Sequence, residues 1–171
     1  AYQPFASRTW LDAIRAQPQR NSHVLLMRTL SKFGLAGVRL GYLLGPQALV
    51  AEIDKVRPPY NVSVLNSEAA LFALEHADVF AAQAQELCAQ RTALVAALQA
   101  MEQVEKVWPS EANMVLLRVP DAARTQAAMK ARGVLVKNVI ALHPLLANCL
   151  RLTVGSAEEN TQMLAVLQES L

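Results

Sequence analysis

A single lysine, Lys32, stands inside the run Arg28-Thr29-Leu30-Ser31-Lys32-Phe33-Gly34-Leu35-Ala36-Gly37-Val38-Arg39-Leu40-Gly41-Tyr42. Two hydroxyls, Thr29 and Ser31, flank it. Gly34 and Gly37 let the backbone turn tightly after it. Arg39 follows seven residues beyond the lysine. An amine, two hydroxyl donors and a guanidinium around one turn make a cradle for a phosphate beside an electrophilic carbonyl. Arginine grips phosphate oxygens with two parallel hydrogen bonds. A lysine desolvated next to other cations loses its proton more readily, and its free amine is then a usable nucleophile. Taken singly, Lys32 and Arg39 read as solvated loop charges; the whole string makes the chemical case.

The elements around this run must hold it in place. Residues 9–17 suggest a short helix with Trp10, Leu11 and Ile14 on one side. His23 to Thr29 is a continuous apolar run that suits a buried strand. Ser31 to Gly37 is too short and too rich in glycine for another long element. Arg39 to Leu44 reads as a second strand, closed by Gly45-Pro46, with Pro46 opening a helix to about Val56. Arg57-Pro58-Pro59-Tyr60-Asn61 is the clearest breaker, because two prolines remove donors and disfavour helix before them. From Val64 to Met101 strong helix formers run without proline or glycine, as two helices or one helix bent near His76-Ala77-Asp78. Strands are then expected at Met114–Val119, Val134–Lys137 and Cys149–Val154, with a helix from Asp121 to Arg132 stopped by Gly133. Ser156 and Glu159 form a capping box for a last helix beginning near Ala157. Strands alternating with helices indicate an α/β architecture for both segments, with the boundary at the proline pair, dividing residues 1–62 from 63–171.

Bulk properties narrow the classes. Of the 171 residues 53% are hydrophobic and 18% charged, which is enough to bury a sizeable core and argues against disorder. A formal net charge of +2, with basic residues spread along the chain, gives no reason to expect nucleic acid or an acidic membrane as partner. Cys88 and Cys149 lie far apart with no Cys-x-x-Cys pair and no histidine set, so reduced thiols and no metal are expected. No apolar run is long enough to span a bilayer. The opening Ala1-Tyr2-Gln3-Pro4-Phe5 lacks a leader and reads like the interior of a longer chain; the cytoplasm is the expected location.

The lysine run is similar to the cofactor-lysine motif of the class I/II aminotransferases, Ser/Thr-x-Ser-Lys followed by Gly-Leu-Ala-Gly-x-Arg-x-Gly-Tyr. The resemblance extends along essentially the whole chain. Ala1 to Phe5 looks like the tail of an Asp-Glu-Ala-Tyr-x-x-Phe segment, and Pro109-Ser110-Glu111-Ala112-Asn113-Met114 resembles a Pro-Ser-x-Ala-Asn-Phe segment leading into a strand. Leu150-Arg151-Leu152-Thr153-Val154-Gly155-Ser156, with Glu158, Glu159 and Asn160 behind it, is close to the signature of the histidinol-phosphate aminotransferase family. The resemblance implies the pyridoxal-phosphate-dependent transferase fold type I. Residues 1–62 would then be the end of the large cofactor-binding domain, and 63–171 the small C-terminal domain with long connecting helices. It further implies that Lys32 carries pyridoxal 5′-phosphate as a Schiff base and acts as catalytic base and acid. Thr29, Ser31 and Arg39 would hold the cofactor phosphate, and Tyr2 would bond the phenolic oxygen of the ring. Arg151 would pair with the substrate α-carboxylate, for which its planar fork is suited. The implied activity is transamination between histidinol phosphate and 2-oxoglutarate, giving glutamate, in histidine biosynthesis, by a homodimer.

The sequence departs from the family pattern in places. The aspartate that pairs with the pyridinium nitrogen is expected just before Ala1. The step from Lys32 to Arg39 is one residue shorter than in many relatives. Lys137 stands where many relatives place an arginine near the substrate phosphate; it can neutralise that group as a point charge but loses the two-pronged contact. Two other readings stay open: a decarboxylase of a phosphorylated amino acid on the same fold, and a fragment or binding module inactive by itself. His23, His76 and His143 read as exposed or satisfied imidazoles, and Trp10, Trp108 and the methionines as packing.

Overall fold

In the computed structural model, which describes residues 1–171, the chain falls into two compact units, Ala1–Ala84 and Gln85–Leu171. The first opens with a 3-10 turn, Gln3–Phe5, and helix α1, Trp10–Ala16. Thr9 caps α1 by accepting from the amide of Leu11. After α1 the chain spends several residues on turns. Asn21 donates its side-chain amide to the carbonyls of Ala13 and Gln17, adding a second bond to two carbonyls that already accept backbone amides at the helix end. The following strand is therefore shorter than expected: β1 runs only Leu26–Thr29. It pairs antiparallel with β2, Gly41–Leu44, in a two-stranded sheet. The apolar run was expected to be buried, yet Met27 is 77% exposed, because β1 has only one strand neighbour. Arg39 was expected on the second strand; it sits instead in the turn before β2, with φ of 54°. Helix α2, Gln47–Asp54, follows Pro46, and helix α3, Val64–Glu75, starts at Ser63, whose hydroxyl accepts from Asn66.

Helix α4 covers Ala77–Gln99, so the expected bend is a real break at His76. The two units divide within this helix, C-terminal to the proline pair.

The second unit is built on a four-stranded sheet in the order β3-β4-β6-β5, every pair antiparallel. Its strands are β3 (Lys106–Val107), β4 (Met114–Arg118), β5 (Lys137–Asn138) and β6 (Cys149–Thr153). Sequence gave no warning of the two-residue β3. Helix α5, Ala122–Ala131, lies between β4 and β5, and helix α6, Ala157–Ser170, follows β6. Alternation along β4 and β6 sends Val115, Leu117, Leu150 and Leu152 into a core completed by Leu94 and Leu98 of α4, Met129 of α5 and Leu167 of α6. Each fully buried leucine contributes about 1.5–3 kcal/mol of transfer free energy.

Local signals govern the ends of these helices. Asp121 caps α5 by accepting from Arg124 at 2.9 Å. Gly133, at φ of 82°, ends it: its amide bonds Lys130, and that of Val134 bonds Met129. That second bond explains why the strand expected from Val134 begins only at Lys137. The Ser156–Glu159 capping box is present in full.

Candidate functional site

The lysine turn is anchored from both sides. Thr29, the last residue of β1, accepts from the amide of Ser31 at 3.1 Å and donates its own hydroxyl to Ser31 Oγ at 2.9 Å. This starts a 3-10 turn, Leu30–Lys32, whose Leu30 side chain is buried and fixes the backbone. Gly34 follows with φ of 120°, a conformation that disfavours any side chain. Space forbids one as well, since an added Cβ would lie 2.7 Å from the ring of Phe80. That ring also stacks on Phe33 at 4.8 Å between centroids. The residue after Lys32 is thus held by an aromatic pair that local sequence did not reveal.

Lys32 is half-buried, and its Nζ lies 5.1 Å from the centroid of the Tyr2 ring, within cation–π range. Tyr2 precedes the 3-10 turn that carries buried Phe5. Arg28 ties this segment to β1. Its guanidinium donates to Gln3 Oε1 and, at 2.9 Å, to Thr9 Oγ1.

Thr29, Ser31 and Arg39 line one cavity of about 630 Å³ together with Arg28, Tyr42 and Arg57. Lys32 does not line it; its amine faces Tyr2 instead. Among the polar groups are three arginines and three hydroxyl-bearing side chains, and no carboxylate belongs to the lining. Such walls suit an anion. Ser31 Oγ accepts from Thr29 and keeps its own proton to donate. Arg39 spends one N–H on the Ala36 carbonyl at 3.0 Å, leaving the rest of its fork open. Arg57 is already engaged with Asp54 at 2.6 Å, and that hydrogen bond and charge push its pKa further above the ordinary guanidinium value. Its charge is thereby matched, so Arg39 is the better anion donor.

In the second unit, Lys137 of β5 stands directly opposite Arg151 of β6 in the antiparallel register. Opposed residues share a face, and like charges facing each other across strands are destabilising. Neither makes an ion pair. Both line a cavity of about 320 Å³ with Gln126 and Thr153. Gln126, not anticipated from sequence, donates to the Val136 carbonyl at 2.8 Å and so sits beside β5. Two cations without an ion-pair partner thus share one recess. Behind β6, buried Asn160 bonds both backbone groups of Gly155, fixing the turn that leaves the strand. Asn113, just ahead of β4, accepts from the amide of Val154 through its backbone carbonyl at 3.0 Å.

No group of three or more His, Cys, Asp or Glu residues is placed to hold a metal ion, and no helix is long and apolar enough to cross a membrane.

Residues 1–167 match the family model described as aminotransferase class I and II. The chain is 78% identical over all 171 residues to a histidinol-phosphate aminotransferase of Paracidovorax citrulli (strain AAC00-1), of which it covers 46%. It thus spans about half the length of the curated relatives it matches. Among solved structures it resembles histidinol-phosphate aminotransferase from Sinorhizobium meliloti in complex with pyridoxal-5′-phosphate, at TM-score 0.75 and 24% identity, covering 99% of this chain and 46% of that one. It also resembles L-threonine-O-3-phosphate decarboxylase from Porphyromonas gingivalis, at TM-score 0.81 and 21% identity, covering 98% and 52%. At these identities the structural likeness is one of fold, and the mixed α/β architecture is that of part of a fold type I transferase. With the family model matched along nearly its whole length, the chain belongs to the class I and II aminotransferases.

Proposed function

We propose that this chain is the C-terminal portion of a pyridoxal-phosphate-dependent aminotransferase that exchanges the amino group between histidinol phosphate and 2-oxoglutarate in histidine biosynthesis. The observation that carries the reading is the Ser31-Lys32 turn. It sets a half-buried amine against Tyr2, and next to it lies an arginine- and hydroxyl-lined cavity without a carboxylate. The identity of 78% to a protein of that name supports the choice of substrate. In this reading residues 1–62 close the large domain and 63–171 form the small one. The whole protein works as a cytoplasmic homodimer.

The donor set fits the cofactor. Ser31 and Arg39, with Thr29 behind them, would hold its phosphate, and Tyr2 its phenolic oxygen. Lys32 would carry it covalently. Bound pyridoxal phosphate supplies an electron sink for the bond broken at the substrate Cα. Lys32 Nζ would take the proton from the substrate Cα as base and, as the ammonium so formed, pass it on to the cofactor rather than back to that carbon. Arg151 would orient either substrate by its anionic group, the α-carboxylate of glutamate or the phosphate of histidinol phosphate, which has no carboxylate. Lys137, beside it on β5, offers a point charge to the phosphate of histidinol phosphate.

The test is made with the full-length protein containing this chain. Loading with pyridoxal phosphate, borohydride reduction and peptide mapping should place a cofactor adduct on Lys32, and histidinol phosphate should drive glutamate formation from 2-oxoglutarate. An unlabelled Lys32 would overturn the reading. The likeness to a threonine-phosphate decarboxylase favours one rival on the same residues: loss of the carboxylate rather than exchange of the amine. Carbon dioxide released in step with consumption of a phosphorylated amino acid would select it.

A further inference from the structure

We propose that Arg28 is a positioning residue for the Lys32 amine, clamping the Tyr2 segment onto strand β1 and so setting where the phenol ring lies under Lys32. Its role in catalysis rests on the reading of Lys32 as the cofactor lysine; the clamp itself rests on geometry. Lys32 is tied to β1 through the chain, because the 3-10 turn from Leu30 begins where the strand ends and is closed by the Phe33-to-Leu30 hydrogen bond of 3.1 Å. Tyr2 lies at the other end of a separate segment. Two side-chain bonds from one guanidinium hold that segment: Arg28 Nη1 to Gln3 Oε1, next to Tyr2, and Nη2 to Thr9 Oγ1 at 2.9 Å, at the start of α1. The partners are 25 and 19 residues away in sequence, so no local turn substitutes for the clamp.

The geometry uses what arginine has and lysine lacks. A rigid planar fork reaches two acceptors on two sides at once, whereas an ammonium is a single point on a flexible stem. Both acceptors are neutral and part-buried. A net contribution of this kind is modest per bond, yet it is concentrated where the Tyr2 ring meets the Lys32 amine.

The experiment reads the Tyr2–Lys32 contact directly. In this chain with ¹³C-labelled lysine, the ring current of Tyr2 should displace the Lys32 ε-methylene signal from those of the other lysines. The signal is assigned by its loss in Lys32→Arg, and Tyr2→Leu should remove the displacement. Arg28→Gln and Gln3→Ala should each collapse the Lys32 signal toward the other lysines, while the β1–β2 amide resonances stay dispersed. Arg28→Lys should fall between. A Lys32 signal that stays displaced in Gln3→Ala overturns the clamp; this variant decides alone if Arg28→Gln does not fold. An undisplaced signal in the unsubstituted chain overturns it too. In the full-length protein, pyridoxal phosphate followed by borohydride tests the other reading separately. No adduct on Lys32, with the signal pattern intact, would sink the cofactor assignment and leave the clamp standing.

Discussion

The two units hold their shapes by different means. In Gln85–Leu171 packing dominates: Leu98, Val115, Leu117, Leu150, Leu152 and Leu167 are completely buried in one continuous cluster. In Ala1–Ala84 the only large hydrophobic side chains that are buried are Phe5 and Leu30, and neither is completely so, while Tyr60 stands 99% exposed. What fixes the N-terminal unit is a set of polar ties: Arg28 to Gln3 and Thr9, Thr29 to Ser31, Asn21 to Ala13 and Gln17. A buried leucine is worth about 1.5–3 kcal/mol, and a net hydrogen bond about 0.5–1.5 kcal/mol. Stability is therefore concentrated in one unit and directional precision in the other. Chemistry that needs an amine at a defined place draws on the second kind of order.

Substitutions in each unit can break or sharpen that contrast. The largest effect is Lys32→Ala, which should abolish the borohydride-fixed cofactor adduct entirely. Unfolding of the C-terminal unit, followed by Trp108 fluorescence in denaturant, should stay unchanged. A shared loss of both would mean that the two units do not separate as argued. Next is Leu150→Ala, at a fully buried position of β6. It should cost about 2–5 kcal/mol in the same unfolding measurement, whereas Met27→Ala on exposed β1 should stay within about 0.5 kcal/mol. Equal costs would erase the contrast. Third, Gly34→Ala puts a side chain at a positive φ and against Phe80. It should cost about 1–3 kcal/mol, read as faster amide exchange confined to residues after Lys32; unchanged exchange would show that the aromatic pair yields freely.

The smallest effect concerns pH. Glu158 is held below the ordinary carboxylate range by a backbone hydrogen bond first and the Ser156 hydroxyl second. A carboxylate more acidic in the folded chain than in the unfolded one favours folding above its unfolded pKa. That contribution fades as pH falls through the lower, folded value. Amide exchange at the start of α6 should quicken only in that acid window, and Glu158→Gln should remove the dependence. Acceleration starting near neutrality would point to another group.

What sequence made legible follows the same division. The Ser156–Glu159 capping box, the Gly133 stop and the break at His76 are local patterns, and each appears in the structure where it was expected. Arg28 sat inside the lysine run, but its partners lie far along the chain and no periodicity names them. Phe80 was hidden for the same reason, within a helix that reads as ordinary packing. The strand expected at Val134 failed because a helix-end hydrogen bond competes for its first donor. Apolar character correctly called β1 a strand, yet it could not report how few neighbours that strand has.

The β1–β2 ribbon carries one more consequence. Neither strand has a second partner, so each offers a row of backbone donors and acceptors along its outer side. With Met27 standing out from the same ribbon, this is a template to which another extended chain can add by main-chain hydrogen bonding. The chain spans about half the length of its relatives, so the direct test is in the full-length protein: a proline on the outer side of β1 should be costly where a further strand pairs there and tolerated where that edge stays open.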